Sequence, residues 1–106
     1  MDTAFSDEVR EAIAEALAAG GFASVAAAAW EVSLTVALSK VSSYERECAS
    51  FRHKYGQSLE SLRTRVEGTQ GREDFAIEDD LADWEFAERA LQVWHKRVEI
   101  LRRAAA

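Results

Sequence analysis

The chain of 106 residues has no proline, one cysteine, two histidines and five glycines. The glycines stand outside every periodic stretch, at Gly20, Gly21, Gly56, Gly68 and Gly71. Long segments therefore contain nothing that would interrupt a helix. A single cysteine excludes an internal disulfide. The 13 Lys and Arg are outnumbered by 19 Asp and Glu, and the net charge of −6 argues against non-specific binding to nucleic acid or to an anionic membrane, because both depend on surplus Lys and Arg.

Motifs of enzyme chemistry are missing as well. The sequence has no glycine-rich phosphate loop, no nucleophile elbow and no cysteine pair. His53 and His95 are predicted on different helices, and no Glu precedes either by three residues, the spacing of di-iron bundles. We expect no enzyme, no cofactor and no metal site, and Cys48 is predicted to be a buried, reduced thiol. A metal-dependent bundle enzyme remains as an alternative that elemental analysis would reveal.

The start of the chain is acidic and lacks a basic segment followed by an apolar run, so a secretory signal is not expected. The most apolar window, residues 23–38, contains Glu31 and is too short to cross a bilayer. These features predict a soluble cytoplasmic protein that does not bind membranes.

Two pairs of seven-residue ladders are the strongest signal in the sequence. Each pair has two apolar rows offset by three residues, the pattern of a helix that packs lengthwise against another helix. The first pair comprises Ala27, Leu34, Val41, Cys48, Tyr55 and Trp30, Ala37, Tyr44, Phe51; the second comprises Ile77, Trp84, Leu91, Val98 and Ala87, Trp94, Leu101.

Cap and charge signals predict an all-α chain of four helices. Ser6 caps a helix that ends at Gly20, and further helices are expected over 23–55, 59–67 and 77–103. The last of these begins with acidic residues and ends with basic ones, as the helix dipole favours. Residues 32–38 alternate like a strand, but the ladder passes through them and no turn signal bounds them, which favours helix.

The two long helices must be antiparallel, because the connection between them is short. The predicted organisation is an N-terminal helix or arm over 1–21 and a helical hairpin domain over 22–106. The contact line between the two long helices, called the seam, is too narrow to shield all the large apolar side chains from water. Two hairpins are therefore expected to dimerise into a four-helix bundle. The predicted core and dimer residues are Trp30, Leu34, Val41, Tyr44, Phe51, Trp84, Leu91, Trp94, Val98 and Leu101.

If Trp94 is buried, Trp94→Ala should lower the free energy of unfolding by about 3–5 kcal/mol.

A lysine-tyrosine-glycine turn at Lys54 to Gly56, a serine-capped short helix, an acidic loop and an Asp83-Trp84-Glu85 step follow one another in the chain. Over about residues 36–103 this order resembles small prokaryotic antitoxin-like proteins encoded beside toxins. Phe86 departs from the pattern, which has a small or aliphatic residue there, and the first helix lies outside it.

The resemblance implies a non-enzymatic interaction protein that masks a small basic toxin. The partner-binding residues it suggests are Glu73, Asp74, Glu78, Asp79 and Asp80. The same carboxylates also suit the N-terminus of a helix, which is a purely structural role. The alternative function is a structural or scaffold homodimer without a toxin partner.

Overall fold

The computed structural model describes residues 4–68 and 74–104. Four α-helices occur within these residues, and no strand does. They are α1 (Asp7–Ala19), α2 (Val25–Tyr55), α3 (Leu59–Glu67) and α4 (Phe75–Arg103). The predicted all-α class, with two long helices around a short one, is confirmed, and residues 32–38 are helical.

Each helix begins where a short polar side chain accepts a hydrogen bond from a free backbone N–H. Ser6 accepts from the N–H of Val9, and Ser58 accepts from that of Ser61. Ser24 starts α2 in the same way, two residues later than predicted. Asp74 starts α4 two residues earlier than predicted, by accepting from Ile77. Gly56 ends α2 with a positive φ of 63°, a conformation that glycine adopts without strain.

The chain divides into two compact units, residues 1–36 and 37–106, and the division falls inside α2. The predicted domain boundary at residue 21 stays a prediction. In the first unit, α1 has no buried residue, although Ile13 and Leu17 are half-buried. Phe5, Arg10 and Ile13 line a small groove together with Val25, so α1 lies beside the first turn of α2.

In the second unit, α4 packs antiparallel against the part of α2 that follows residue 36. Phe51 stacks on Trp84 with ring centroids 5.7 Å apart, and Tyr55 stacks on the same indole at 6.4 Å. Further along the seam, Glu45 on α2 lies 3.9 Å from His95 on α4. Because residue numbers rise on one helix as they fall on the other, the predicted antiparallel hairpin is confirmed.

The core of the second unit consists of Cys48, Leu62, Trp84 and Ala87, with α3 covering one side through Leu62. Every residue of the predicted ladders is buried or half-buried. Conversely, the exposed large apolar residues in the described part of the chain all lie outside the ladders: Phe5, Val9, Val25, Val32, Val36, Leu38, Phe75, Phe86, Val93 and Ile100. The ladders therefore identified the faces that the fold covers.

The helix α2 is longer than the apolar window on which the prediction about membranes depended. With 31 residues and an 18-residue window of mean hydropathy 1.2, it meets the length and composition of a membrane-spanning helix. Core helices of soluble proteins and signal sequences meet the same criteria, so the feature does not place the protein in a membrane.

Candidate functional site

The five predicted partner-binding carboxylates do not form one cluster in the structure. Glu73 lies outside the described residues. Asp74 is occupied as the cap of α4, and Asp80 is bonded to α2. Glu78 and Asp79 are exposed, and neither makes an ion pair with a residue that the structure describes. Two of the five are thus available to a partner on the surface of α4.

Asp80 joins the two long helices at the end of the hairpin next to α3. One of its carboxylate oxygens, Oδ2, lies 2.5 Å from Lys54 Nζ and 2.5 Å from the hydroxyl of Tyr55, and both groups donate to it. The hydrogen bond from Lys54, followed by that from Tyr55, lowers the pKa of Asp80 below its ordinary value of 3.8. Desolvation, followed by the hydrogen bond to Asp80, raises the pKa of Tyr55, so this hydroxyl stays protonated and donates at neutral pH. Asp80 therefore stabilises the hairpin.

Removal of this charge should destabilise the protein in a pH-dependent way. Because folding lowers the pKa of Asp80, its stabilising contribution is complete above the ordinary pKa and is lost as the pH falls through the folded value. We expect Asp80→Asn to lower the melting temperature at pH 7, and we expect the gap from the parent to narrow towards pH 3.

The matched control is Asp83→Asn, which neutralises an exposed carboxylate on the same helix. Thermal unfolding followed by circular dichroism at pH 7, 5 and 3 measures all three proteins. A gap between Asp80→Asn and the parent that stays constant over this pH range would contradict the assignment.

An open polar groove of about 420 Å³ lies between the end of α2, α3 and α4. On its wall, the guanidinium of Arg63 lies 2.8 Å from Glu85 and 2.9 Å from Glu60. The hydrogen bond to Glu85, and then that to Glu60, raises the pKa of Arg63. Arg52 approaches Glu88 at 4.0 Å on the same wall. The contacts to Glu85 and Glu88 join α3 and α2 to α4, which suits a structural role for the groove.

Cys48 is buried against α4, as predicted. Desolvation, followed by the charge of the nearby Glu88 carboxylate and its hydrogen bond, raises the pKa of the thiol from 9.0 to about 11. The thiolate is the reactive form of cysteine, so this side chain is protected by its pKa as well as by its burial.

We expect Cys48 to react slowly in the folded protein. With a pKa of about 11, only ~0.1% of the thiol is ionised at pH 8. Alkylation followed by mass spectrometry should show the modification appearing only as denaturant unfolds the chain. Stoichiometric labelling of the native protein within the time that free cysteine needs would contradict this prediction.

The two histidines are not neighbours of each other. His53 is exposed near the end of α2, whereas His95 faces Glu45 on the opposite helix. Within residues 4–68 and 74–104, no three His, Cys, Asp or Glu side chains are grouped so that they could hold a metal ion.

The predicted core and dimer residues lie mostly in the seam of a single chain. Trp84 is 0% exposed, while Trp94 is half-buried beneath the guanidinium of Arg97, 4.4 Å from the ring centroid. Phe51 and Tyr55 on α2 stack on Trp84, so this indole is covered within one chain, and the homodimer stays a prediction. Trp30 is half-buried in the first unit.

A surface that the sequence analysis missed lies on α4. Phe86, Val93 and Ile100 are 57%, 47% and 49% exposed and follow one another at intervals of seven residues. Their spacing is the same signal that identified the ladders. Phe86 also drew notice as the departure from the antitoxin-like pattern. We call the exposed apolar side of α4, from Phe75 to Ile100, the outer stripe.

Comparison of the chain with protein-family models, with curated proteins and with solved structures gave no match.

Proposed function

We propose that this chain is a non-enzymatic interaction protein that forms homodimers in the cytoplasm and binds a small basic protein, as an antitoxin binds its toxin. The observation that supports this most is the exposure of Glu78 on the first turn of α4, where no described residue neutralises it. Charges left free on a rigid element attract a partner of opposite sign. The net charge of −6 acts in the same direction over a longer range.

Two of the five predicted partner-binding carboxylates already have roles in the fold. Asp74 and Asp80 serve the fold through the cap of α4 and the bond to Lys54, so their replacement would confuse loss of binding with loss of stability. Glu78 has neither role in the described part of the chain, which makes it the residue of choice for testing the interface.

The test is co-expression with the product of the adjacent gene, followed by capture of the complex. We expect the parent to capture the partner and Glu78→Lys to weaken the complex about tenfold or more, because a like charge then faces a basic surface. The matched control is Glu11→Lys, which makes the same change of charge at an exposed position of α1. No complex with the parent, or equal capture by both variants and the parent, would reject this function.

A scaffold homodimer without a toxin partner is the second candidate. The outer stripe favours it, because three large apolar side chains at regular intervals on an exposed helix face are what an association of helices requires. A gene neighbourhood that lacks any small partner gene would support the scaffold role over the antitoxin role.

A further inference from the structure

The outer stripe of α4 is a second apolar row along the helix, on the side away from the hairpin core. At 100° per residue, Phe75, Val93 and Ile100 project within about 40° of Phe86 around the helix axis. Trp84, at the centre of the core, projects about 160° away from Phe86. One side of the helix is therefore covered by α2 and α3, and the side that bears the outer stripe is largely exposed. Phe86 meets the Tyr44 ring of α2 edge to face, with ring centroids 6.2 Å apart, and is still 57% exposed.

Small residues and charges occupy the rest of this stripe in a particular order. Ala82 and Ala90 also fall within about 40° of Phe86, on either side of it along the chain. Asp79 lies on the stripe near the start of α4, and Arg97 lies on it near the end. The guanidinium of Arg97 rests on the ring of Trp94 at 4.4 Å, which restrains it at that end.

The residues along the outer stripe are complementary to those of a second α4 helix that runs antiparallel to the first. Asp79 and Arg97 are equally far from residue 88, and so are Phe86 and Ala90. An antiparallel copy with its two-fold axis at residue 88 thus places each Asp79 opposite an Arg97 and each Phe86 opposite an Ala90. A parallel copy in register would place Asp79 against Asp79 and Phe86 against Phe86, so both charge and size favour the antiparallel arrangement.

We propose that a second copy of this chain covers the outer stripe, so that two α4 helices pair antiparallel about residue 88. This inference rests on the homodimer of the proposed function and assigns its interface, its orientation and its register. The predicted four-helix bundle is then formed by two complete hairpins joined through α4, and the ladder residues remain inside each hairpin.

The length of α4 is sufficient for such an interface. Its 29 residues extend for ~44 Å, and helices in contact lie about 8–10 Å apart. Stable interfaces commonly bury about 800 Å² on each partner, with about 20 residues on each side. Apolar side chains occur along the whole stripe, and the isologous arrangement uses each of them twice.

The first experiment measures mass by light scattering on the full chain. The parent should have twice the 11.8 kDa of one chain, and Val93→Glu should raise the dimer Kd at least ~100-fold, because it places a charge in the apolar contact between the two copies. The matched control is Val36→Glu, at a valine of similar exposure (45% against 47%) on α2, and it should leave the mass unchanged. Helical content and melting temperature verify that each variant folds.

The second experiment tests the register by exchange of charge. Asp79→Arg alone and Arg97→Asp alone should each weaken the dimer about tenfold, because like charges then meet. The double variant Asp79→Arg/Arg97→Asp should restore the parent Kd. Only an arrangement in which these two residues face each other gives this recovery, and a double variant weaker than both single variants would overturn the antiparallel register.

The outcomes separate this inference from the proposed function. A monomeric parent that still captures the basic partner would overturn the dimer and leave partner binding intact. A dimeric parent with the expected response to Val93→Glu that captures nothing would support the interface and reject the antitoxin role. A dimer whose Kd is unchanged by Val93→Glu would overturn the outer stripe as the interface.

Discussion

Replacement of Trp84 by alanine should cost about 3–5 kcal/mol of the free energy of unfolding. The indole is 0% exposed, it is the largest fully buried side chain among the described residues, and two rings of α2 stack on it. Its removal would leave a cavity between the two long helices beside Cys48 and Ala87. Since small domains have net stabilities of about 5–15 kcal/mol, this loss is a large part of the total. Urea denaturation followed by far-ultraviolet circular dichroism measures it.

Two controls separate the cavity from the loss of the indole itself. Trp84→Phe keeps an aromatic ring against Phe51 and removes an indole N–H that has no hydrogen-bond partner among the described atoms. An orphaned buried donor is unfavourable, so part of the lost packing is offset and the net cost should stay below about 1.5 kcal/mol. Trp94→Ala removes a half-buried indole and should cost less than half as much as Trp84→Ala. Equal costs at the two tryptophans would contradict this description of the core.

The arrangement of the hairpin could be read from the sequence because its signal is periodic. A seven-residue repeat places side chains on one face of a helix whatever their identity, so Cys48 and Ala87 were assigned to the seam along with the aromatic residues. The helix ends followed equally well from local chemistry, since caps such as Ser58 act within one turn. Only the starts of α2 and α4 were displaced, because Ser24 and Asp74 took the capping role.

The acidic site was harder to predict because the charge of a residue does not reveal its partner. Asp80 lies three residues after Ile77 and four before Trp84, so it shares the face of α4 that meets α2. That spacing was a usable signal for its bond to Lys54 and Tyr55. Its treatment as one member of an acidic run concealed this role. Lys54 and Tyr55 lie about 25 positions from Asp80 in the sequence, and a local sequence pattern does not show which distant residues come into contact.

The outer stripe was overlooked for a different reason. The large side chains were recognised as too many for one contact between two helices, but the predicted core and dimer residues were all taken from the ladders. The structure shows that α2 and α3 already cover Trp84, while Phe86 and Val93 stay exposed on another side of the same helix. A helix of 29 residues has room for two apolar faces, and only the structure shows which of them is covered within the chain.

Leu62→Ala should release α3 from the rest of the second unit at a cost of about 2–5 kcal/mol. Leu62 is the one fully buried residue of this nine-residue helix, and a helix so short is marginal without packing. We expect the backbone amides of α3 to lose their protection against hydrogen exchange, while those of α2 and α4 remain protected through the stacking on Trp84. Exchange measured residue by residue distinguishes this local opening from global unfolding.

Leu59→Ala is the matched control for the release of α3, because Leu59 lies on the same helix and is only half-buried. Its smaller loss of contact should lower the protection of α3 much less than Leu62→Ala does. Release of α3 would also separate Arg63 from Glu85, since their 2.8 Å contact joins α3 to α4, and the polar groove would lose one wall. Protection of α3 that is unchanged in Leu62→Ala would show that the ion pairs of Arg63, and not the leucine, hold this helix in place.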